Sequence, residues 1–115
     1  SRLIEGGRVE ILVSEEILAE IARVLEYPKI KRVLERARVS SKDVLETILS
    51  VSRVVNPKVK MKVVEEDPED NKFLECAVEG GAECVVSGDK HLLKLGKYGN
   101  VRIISAREFL EELRA

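Results

Sequence analysis

The stretch that decides the fold is DPEDNKFLECAVEGGAECVVSGDKHLL, residues 67–93. Its first half spaces apolar side chains as one face of a helix that opens near Asp70 and stops at Gly80-Gly81. The short apolar run at residues 84–86 is typical of a buried strand, and Ser87-Gly88-Asp89 turns the chain into a second helix. A buried strand between two helices predicts an α/β fold with parallel strands.

Strands and helices continue to alternate on both sides of this stretch. Upstream, the apolar spacing predicts a strand at residues 9–13, then helices at 14–25, 30–37 and 40–52. Residues 58–63 alternate lysine with apolar side chains, which predicts a half-buried strand near a sheet edge. Downstream, a strand at 101–104 precedes a helix that Ser105 and Glu108 cap. This order predicts a mostly parallel sheet with helices on both faces, in one domain spanning residues 1–115.

Composition bounds the class of protein. Of the 115 residues, 44% are hydrophobic and only 3% are aromatic, so we expect an aliphatic core. The 20 basic and 21 acidic residues give a formal net charge of -1, which argues against a protein that wraps nucleic acid by charge alone. Many charged residues together with a complete lack of Gln indicate a thermophilic source.

The cysteines and the hydropathy pattern indicate a cytoplasmic protein. Cys76 and Cys84 fit no zinc or redox spacing and are expected to be small buried thiols in a reducing compartment. No apolar run approaches the ~20 residues of a membrane span, and no signal peptide is visible. We therefore expect no association with a membrane.

Three acidic side chains fall near the carboxyl ends of predicted strands, where open α/β sheets bind their ligands: Glu20, Asp70 and Asp89. Carboxylates that converge repel each other, and a hard divalent cation is their natural counter-charge. Such a metal site suits the hydrolysis of phosphodiesters. Each acid alone also has an ordinary structural role: Glu20 as a solvated helix residue, Asp70 as a partner of a helix dipole, and Asp89 as an N-cap.

Residues 67–93 closely resemble the PIN-domain family, and SEEILAEIARVL (14–25) and VRIISAREFL (101–110) match in order. More narrowly, the chain resembles prokaryotic PIN proteins classed as toxins of toxin–antitoxin pairs. The resemblance covers nearly the whole chain. It implies a metal-dependent endoribonuclease that uses Mg²⁺ or Mn²⁺ and a metal-activated water, leaving 5′-phosphate and 3′-hydroxyl ends. It also implies RNA as substrate, an antitoxin protein as partner, and a homo-oligomer.

The resemblance implies three metal ligands, which are Glu20, Asp70 and Asp89. Ser87 matches a hydroxyl position beside the catalytic site, where it would bond a carboxylate or a metal-bound water. Asn71 matches a position that supports Asp70. Asp67 is an alternative ligand, although a loop-forming role before Pro68 is expected of it.

One departure from the family concerns the start of the chain. The family opens with a strand that ends in an Asp, and no such strand precedes residue 9. Residues 3–7 instead resemble the end of a helix and its glycine stop. We therefore expect an N-terminally truncated PIN-like domain whose first, central strand is missing. This chain would be inactive until an upstream segment with a strand-terminal Asp is restored.

Two alternatives stay open. The missing first acid favours a non-catalytic PIN-like protein-interaction module. A phospho-acceptor or small-molecule switch domain would need a Lys at a late strand tip, where Ser105 stands.

His91 is either an exposed helix residue or a phosphate contact. The basic run at residues 29–38 is either a solvated helix face or an RNA-backbone contact.

Overall fold

A computed structural model describes residues 9–114 of the chain. Within that range the chain forms two compact units, which we call the N-terminal unit (Glu10–Val55) and the C-terminal unit (Asn56 to the end of the described range). Each combines helices with a pair of parallel strands, so the α/β class predicted from the sequence is confirmed. The helix end expected at residues 3–7 lies outside the described residues.

The N-terminal unit contains two strands and three helices. In order they are β1 (Ile11–Val13), α1 (Glu15–Leu25), α2 (Pro28–Ala37), α3 (Ser41–Val51) and β2 (Ser52–Val54). Side chains cap the starts of α1 and α3, because the Ser14 hydroxyl accepts from the Ile17 N–H and Ser40 forms a capping box with Asp43. α2 begins at Pro28, two residues before the predicted start, since proline has no N–H to leave unpaired in a first turn.

Residues 52–54 form a strand where the sequence pattern predicted the end of a helix, and this part of the prediction is wrong. They pair in parallel with Ile11–Val13, and the Arg53 guanidinium donates to the Glu10 carboxylate at 2.9 Å. Of these three residues only Val54 is apolar and β-branched, so the parallel pairing with Ile11–Val13 decides that a strand forms here.

The C-terminal unit is built around a three-stranded sheet. Its elements are a 3₁₀ turn (Pro68–Asp70), α4 (Asn71–Gly80), β3 (Cys84–Val86), α5 (Lys90–Leu95), β4 (Lys97–Tyr98), β5 (Val101–Ile104) and α6 (Ala106–Arg114). The central strand, β5, runs parallel to β3 and antiparallel to the short, unpredicted β4. The predicted Ser105–Glu108 capping box forms. The buried core of the unit consists of Val64, Leu74, Leu92 and Ile103.

Residues 58–63 do not form a strand, which corrects the sequence-based prediction. Their backbone donors bond side chains of α4 instead of a neighbouring strand. The N–H of Lys58 donates to the Glu79 carboxylate at 3.2 Å, and that of Met61 donates to the Glu75 carboxylate at 2.8 Å. The alternation of the sequence survives because Met61 still packs against the core from this extended segment.

Candidate metal centre

A tight turn places two carboxylates on one side of the chain. Residues Pro68–Asp70 form a single 3₁₀ turn, closed by a bond of 3.0 Å from the Asp70 N–H to the Asp67 carbonyl. Asp67 precedes the turn with an extended φ of -145°, and the turn returns the chain so that carboxylate oxygens of Asp67 and Asp70 lie within 4.8 Å of each other. Pro68 favours this turn because its ring fixes φ at the first position.

Asp89 enters from the carboxyl end of β3, which ends at Val86. It caps α5, with its Oδ1 accepting from the N–H groups of His91 at 2.8 Å and Leu92 at 3.2 Å. The Ser87 hydroxyl accepts from the Asp89 N–H at 3.0 Å and so fixes the turn between strand and helix. Two backbone N–H groups of α5 therefore fix the orientation of the Asp89 carboxylate.

The structure brings these aspartates together. One carboxylate oxygen from each of Asp67, Asp70 and Asp89 lies within 4.8 Å of the others, and we call this group the acid cluster. Asp70 is only 7% exposed, and its Oδ2 has no hydrogen-bond partner in the described chain. Leaving a buried polar atom unpaired costs about 1–3 kcal/mol. The geometry thus provides a place for a proton or a cation.

The pKa values of Asp70 and Asp89 shift in opposite directions within the acid cluster. Burial, the adjacent Asp89 carboxyl and the charge of Asp67 raise the pKa of Asp70 from 3.8 to about 6. Burial also acts to raise the pKa of Asp89, but the Leu92 N–H, the Asp70 carboxyl and the His91 N–H outweigh it and leave this pKa below its usual value. Asp70 is therefore the member of this pair that takes up a proton first as the pH falls.

The residues of the acid cluster fit a divalent metal ion. All three donors are carboxylate oxygens, which hard cations such as Mg²⁺ and Mn²⁺ prefer. The unpartnered Asp70 Oδ2 is a buried oxygen that a bound cation would satisfy. A bound ion would also relieve the repulsion that raises the pKa of Asp70.

Asn71 supports the acid cluster through the backbone. Its Oδ1 accepts from the N–H groups of Val63 at 3.0 Å and Val64 at 2.8 Å, and its Nδ2 donates to the Pro68 carbonyl at 3.0 Å. The amide therefore joins the 58–64 segment to the turn that carries Asp67 and Asp70. The family resemblance implied that Asn71 supports Asp70, and that role in the site stays a prediction.

Ser87 and Glu20, which the sequence also predicted for the site, are not members of the acid cluster. Ser87 bonds the backbone of Asp89 in the described chain, which makes it a positioning residue for that carboxylate. Glu20 is a partly exposed residue of α1 in the N-terminal unit. The acid cluster forms within the C-terminal unit by itself, so the metal-binding role of Glu20 stays a prediction.

The structure adds two residues to those that the sequence assigned to the site. Asp67 was an alternative ligand for which a loop-forming role was expected, and its carboxylate belongs to the acid cluster. Lys72 is buried, with its Nζ donating to the Glu69 carbonyl at 3.0 Å, and its charge acts to lower the pKa of Asp70. No pattern predicts a buried lysine, because lysine is almost always exposed.

Comparison with known proteins gives one finding. A family model described as a PIN domain matches residues 1–91. Neither the comparison with curated proteins nor that with solved structures gave a significant match. Along the range that the structure describes, no helix has both the length and the apolar character needed to cross a membrane.

Proposed function

This chain belongs to the PIN-domain family, and from that premise we propose that it is a metal-dependent endoribonuclease. The observation that carries the proposal is the acid cluster, in which a buried and unpartnered Asp70 oxygen lies beside the carboxylates of Asp67 and Asp89. A PIN domain is a nuclease fold, and three such carboxylates suit the metal-assisted hydrolysis of phosphodiesters.

Each member of the site has a proposed role. Asp67, Asp70 and Asp89 would hold Mg²⁺ or Mn²⁺, with Glu20 as a further ligand that the family resemblance supports. The cation, when bound, activates a water and stabilises the charge that develops on the phosphate. Ser87 would keep Asp89 in place through its backbone bond of 3.0 Å.

The cleavage experiment compares two Asp→Asn variants of the protein encoded by the whole gene. We expect Mg²⁺- or Mn²⁺-dependent cleavage of single-stranded RNA, stopped by chelation and reduced about 100-fold or more in Asp89→Asn. Asparagine is as good an N-cap as aspartate, so α5 should survive this change. Asp43→Asn is the matched control, because Asp43 is the one aspartate of the chain outside the acid cluster. Equal cleavage by wild type and Asp89→Asn would reject the proposal.

The biological part of the proposal is that the protein is the cytoplasmic toxin of a toxin–antitoxin pair. The sequence resemblance supports it, and so do apolar side chains of the N-terminal unit that are more than half exposed, such as Tyr27, Val33 and Val51. We propose that an antitoxin or a second copy of the chain covers them.

Normal growth of cells that overproduce the active protein would contradict the toxin role. Light scattering that shows a monomer at every concentration would contradict the homo-oligomer.

RNA contact by α2 is a separate expectation. Its segment carries five exposed cations against the single acid Glu35; they are Lys29, Lys31, Arg32, Arg36 and Arg38. Arg32→Gln with Arg36→Gln neutralises one face with little change in helix propensity. If α2 contacts phosphates, this double variant should flatten the slope of log affinity against log salt by up to about two. Lys42→Gln on α3 is the control. An unchanged slope in the double variant would mean that the basic side chains of α2 are solvated and do not contact RNA.

A further inference from the structure

A groove of about 270 Å³ opens in the C-terminal unit, and part of its lining is adjacent in sequence to residues of the acid cluster. It is lined by Val63, Val64, Glu65, Glu66, His91, Lys94 and Leu95. Both walls continue directly into the acid cluster. Residues 65–66 lead into Asp67, and His91 lies in the first turn of the helix that Asp89 caps.

The polar groups of the groove are organised around Glu66. Its carboxylate contacts His91 Nδ1 at 3.1 Å and Lys94 Nζ at 3.9 Å. The Nδ1 atom of the imidazole faces the Glu66 carboxylate, so Nε2 is the ring nitrogen that remains to contact a ligand. The His91 side chain is 26% exposed and the Lys94 side chain is 77% exposed, so the ammonium lies at the outer rim of the groove.

The remaining lining is apolar. Val64 is 6% exposed and Leu95 is 36% exposed, so the apolar lining includes one buried residue and one that is accessible from solvent. An apolar wall with an imidazole edge suits a planar nucleobase, and an ammonium at the rim suits a phosphate. Glu65 and Glu66 both line the groove, and Glu66 pairs with Lys94. An ammonium has three N–H donors, so Lys94 can contact a phosphate while it pairs with Glu66, and His91 Nε2 can contact the base.

We propose that this groove binds one nucleotide of the substrate strand next to the acid cluster, with the base between Val63 and Leu95, the His91 ring at its edge and Lys94 on its phosphate. The inference rests on the proposed nuclease function and adds a substrate subsite to it. Glu66 acts as a positioning residue, because it orients the imidazole and does not itself contact the phosphate.

The chain supplies its own probe for this proposal. His91 is the only histidine, so its ring gives a single set of imidazole NMR signals. The experiment titrates the metal-free protein with adenosine 5′-monophosphate at fixed neutral pH, and in parallel with adenosine and with inorganic phosphate. We expect the imidazole signals to shift saturably, with the nucleotide binding more tightly than either fragment.

Two variants of α5 sharpen the test. Lys94→Gln removes the ammonium at the rim and should weaken nucleotide binding about three- to fivefold, as expected for one exposed charge contact. Lys90→Gln is the matched control, because Lys90 lies on the same helix but does not line the groove. An imidazole that does not respond, phosphate that binds as tightly as the nucleotide, or equal weakening by both variants would each overturn the subsite.

This test separates the groove from the nuclease. If the protein cleaves RNA but the nucleotide does not shift its imidazole NMR signals, the subsite is overturned and the proposed nuclease function stands. A saturable imidazole response in a protein that never cleaves RNA would support the groove as a nucleotide site and overturn the nuclease.

Discussion

Replacing Asp70 by asparagine is expected to abolish metal-dependent RNA cleavage while it makes the metal-free protein more stable at neutral pH. The amide is neutral, so it removes both a ligand charge and the repulsion from Asp67 and Asp89. The pKa of Asp70 rises from 3.8 to about 6. One unit corresponds to about 1.4 kcal/mol, so the free energy of unfolding should rise by about 1–3 kcal/mol in Asp70→Asn.

The pH dependence of the metal-free protein gives the sign of this effect. A folded-state pKa above the unfolded value means that the folded chain binds more protons between the two values. The contribution of Asp70 is therefore full below pH 3.8 and is lost as the pH rises through about 6. The lowered pKa of Asp89 acts in the opposite sense, but only below its usual range. Hence the wild-type free energy of unfolding should fall between about pH 4 and pH 6.

Denaturant unfolding at several pH values, with a chelator present, checks both parts. Asp70→Asn should lack the component of the pH slope that Asp70 contributes, and Asp43→Asn should retain it. An Asp70→Asn variant that is less stable than wild type at neutral pH, with the same slope, would mean that Asp70 is not a repelled carboxylate.

The second large effect is expected from Asn71→Ala. Asn71 is 5% exposed and accepts from the N–H groups of Val63 and Val64, of which Val64 is buried. The alanine variant leaves these donors and the Pro68 carbonyl without their partner. At about 1–3 kcal/mol for each buried group left unpaired, the free energy of unfolding should fall by about 2–4 kcal/mol.

The control for this variant is Asn100→Ala, because Asn100 is exposed in the turn between β4 and β5. It should change the free energy of unfolding by no more than about 0.5 kcal/mol. Equal midpoints and slopes in urea for both variants would show that the amide of Asn71 does not hold the 58–64 segment. Asn71→Ala should also weaken metal binding, since the turn that carries Asp67 and Asp70 loses its anchor.

Much of the C-terminal unit could be predicted because its signals are local. The glycine stop after α4, the Asp89 cap and the Ser105–Glu108 box each act within a few residues, and all three form. The extended segment at 58–63 was mistaken for a strand because alternation reports which side chains are buried and not what bonds the backbone. Its partners, Glu75 and Glu79 among them, are distant in sequence.

The acid cluster was predictable in part for the same reason. Asp70 and Asp89 follow from their places at element ends, which sequence patterns locate well. The contribution of Asp67 depends on the closing of a 3₁₀ turn, and the burial of Lys72 depends on the packing around it. Neither can be read from a spacing alone.

The central claim is that three aspartates of the C-terminal unit form a metal site, and calorimetric titration with Mn²⁺ at neutral pH tests it most directly. We predict that the wild-type protein and Asp43→Asn bind Mn²⁺ alike, whereas Asp67→Asn and Asp70→Asn lose most of the affinity because each removes a charged oxygen donor. A wild-type protein that binds no Mn²⁺, or cluster variants that bind it as the wild type does, would contradict the account.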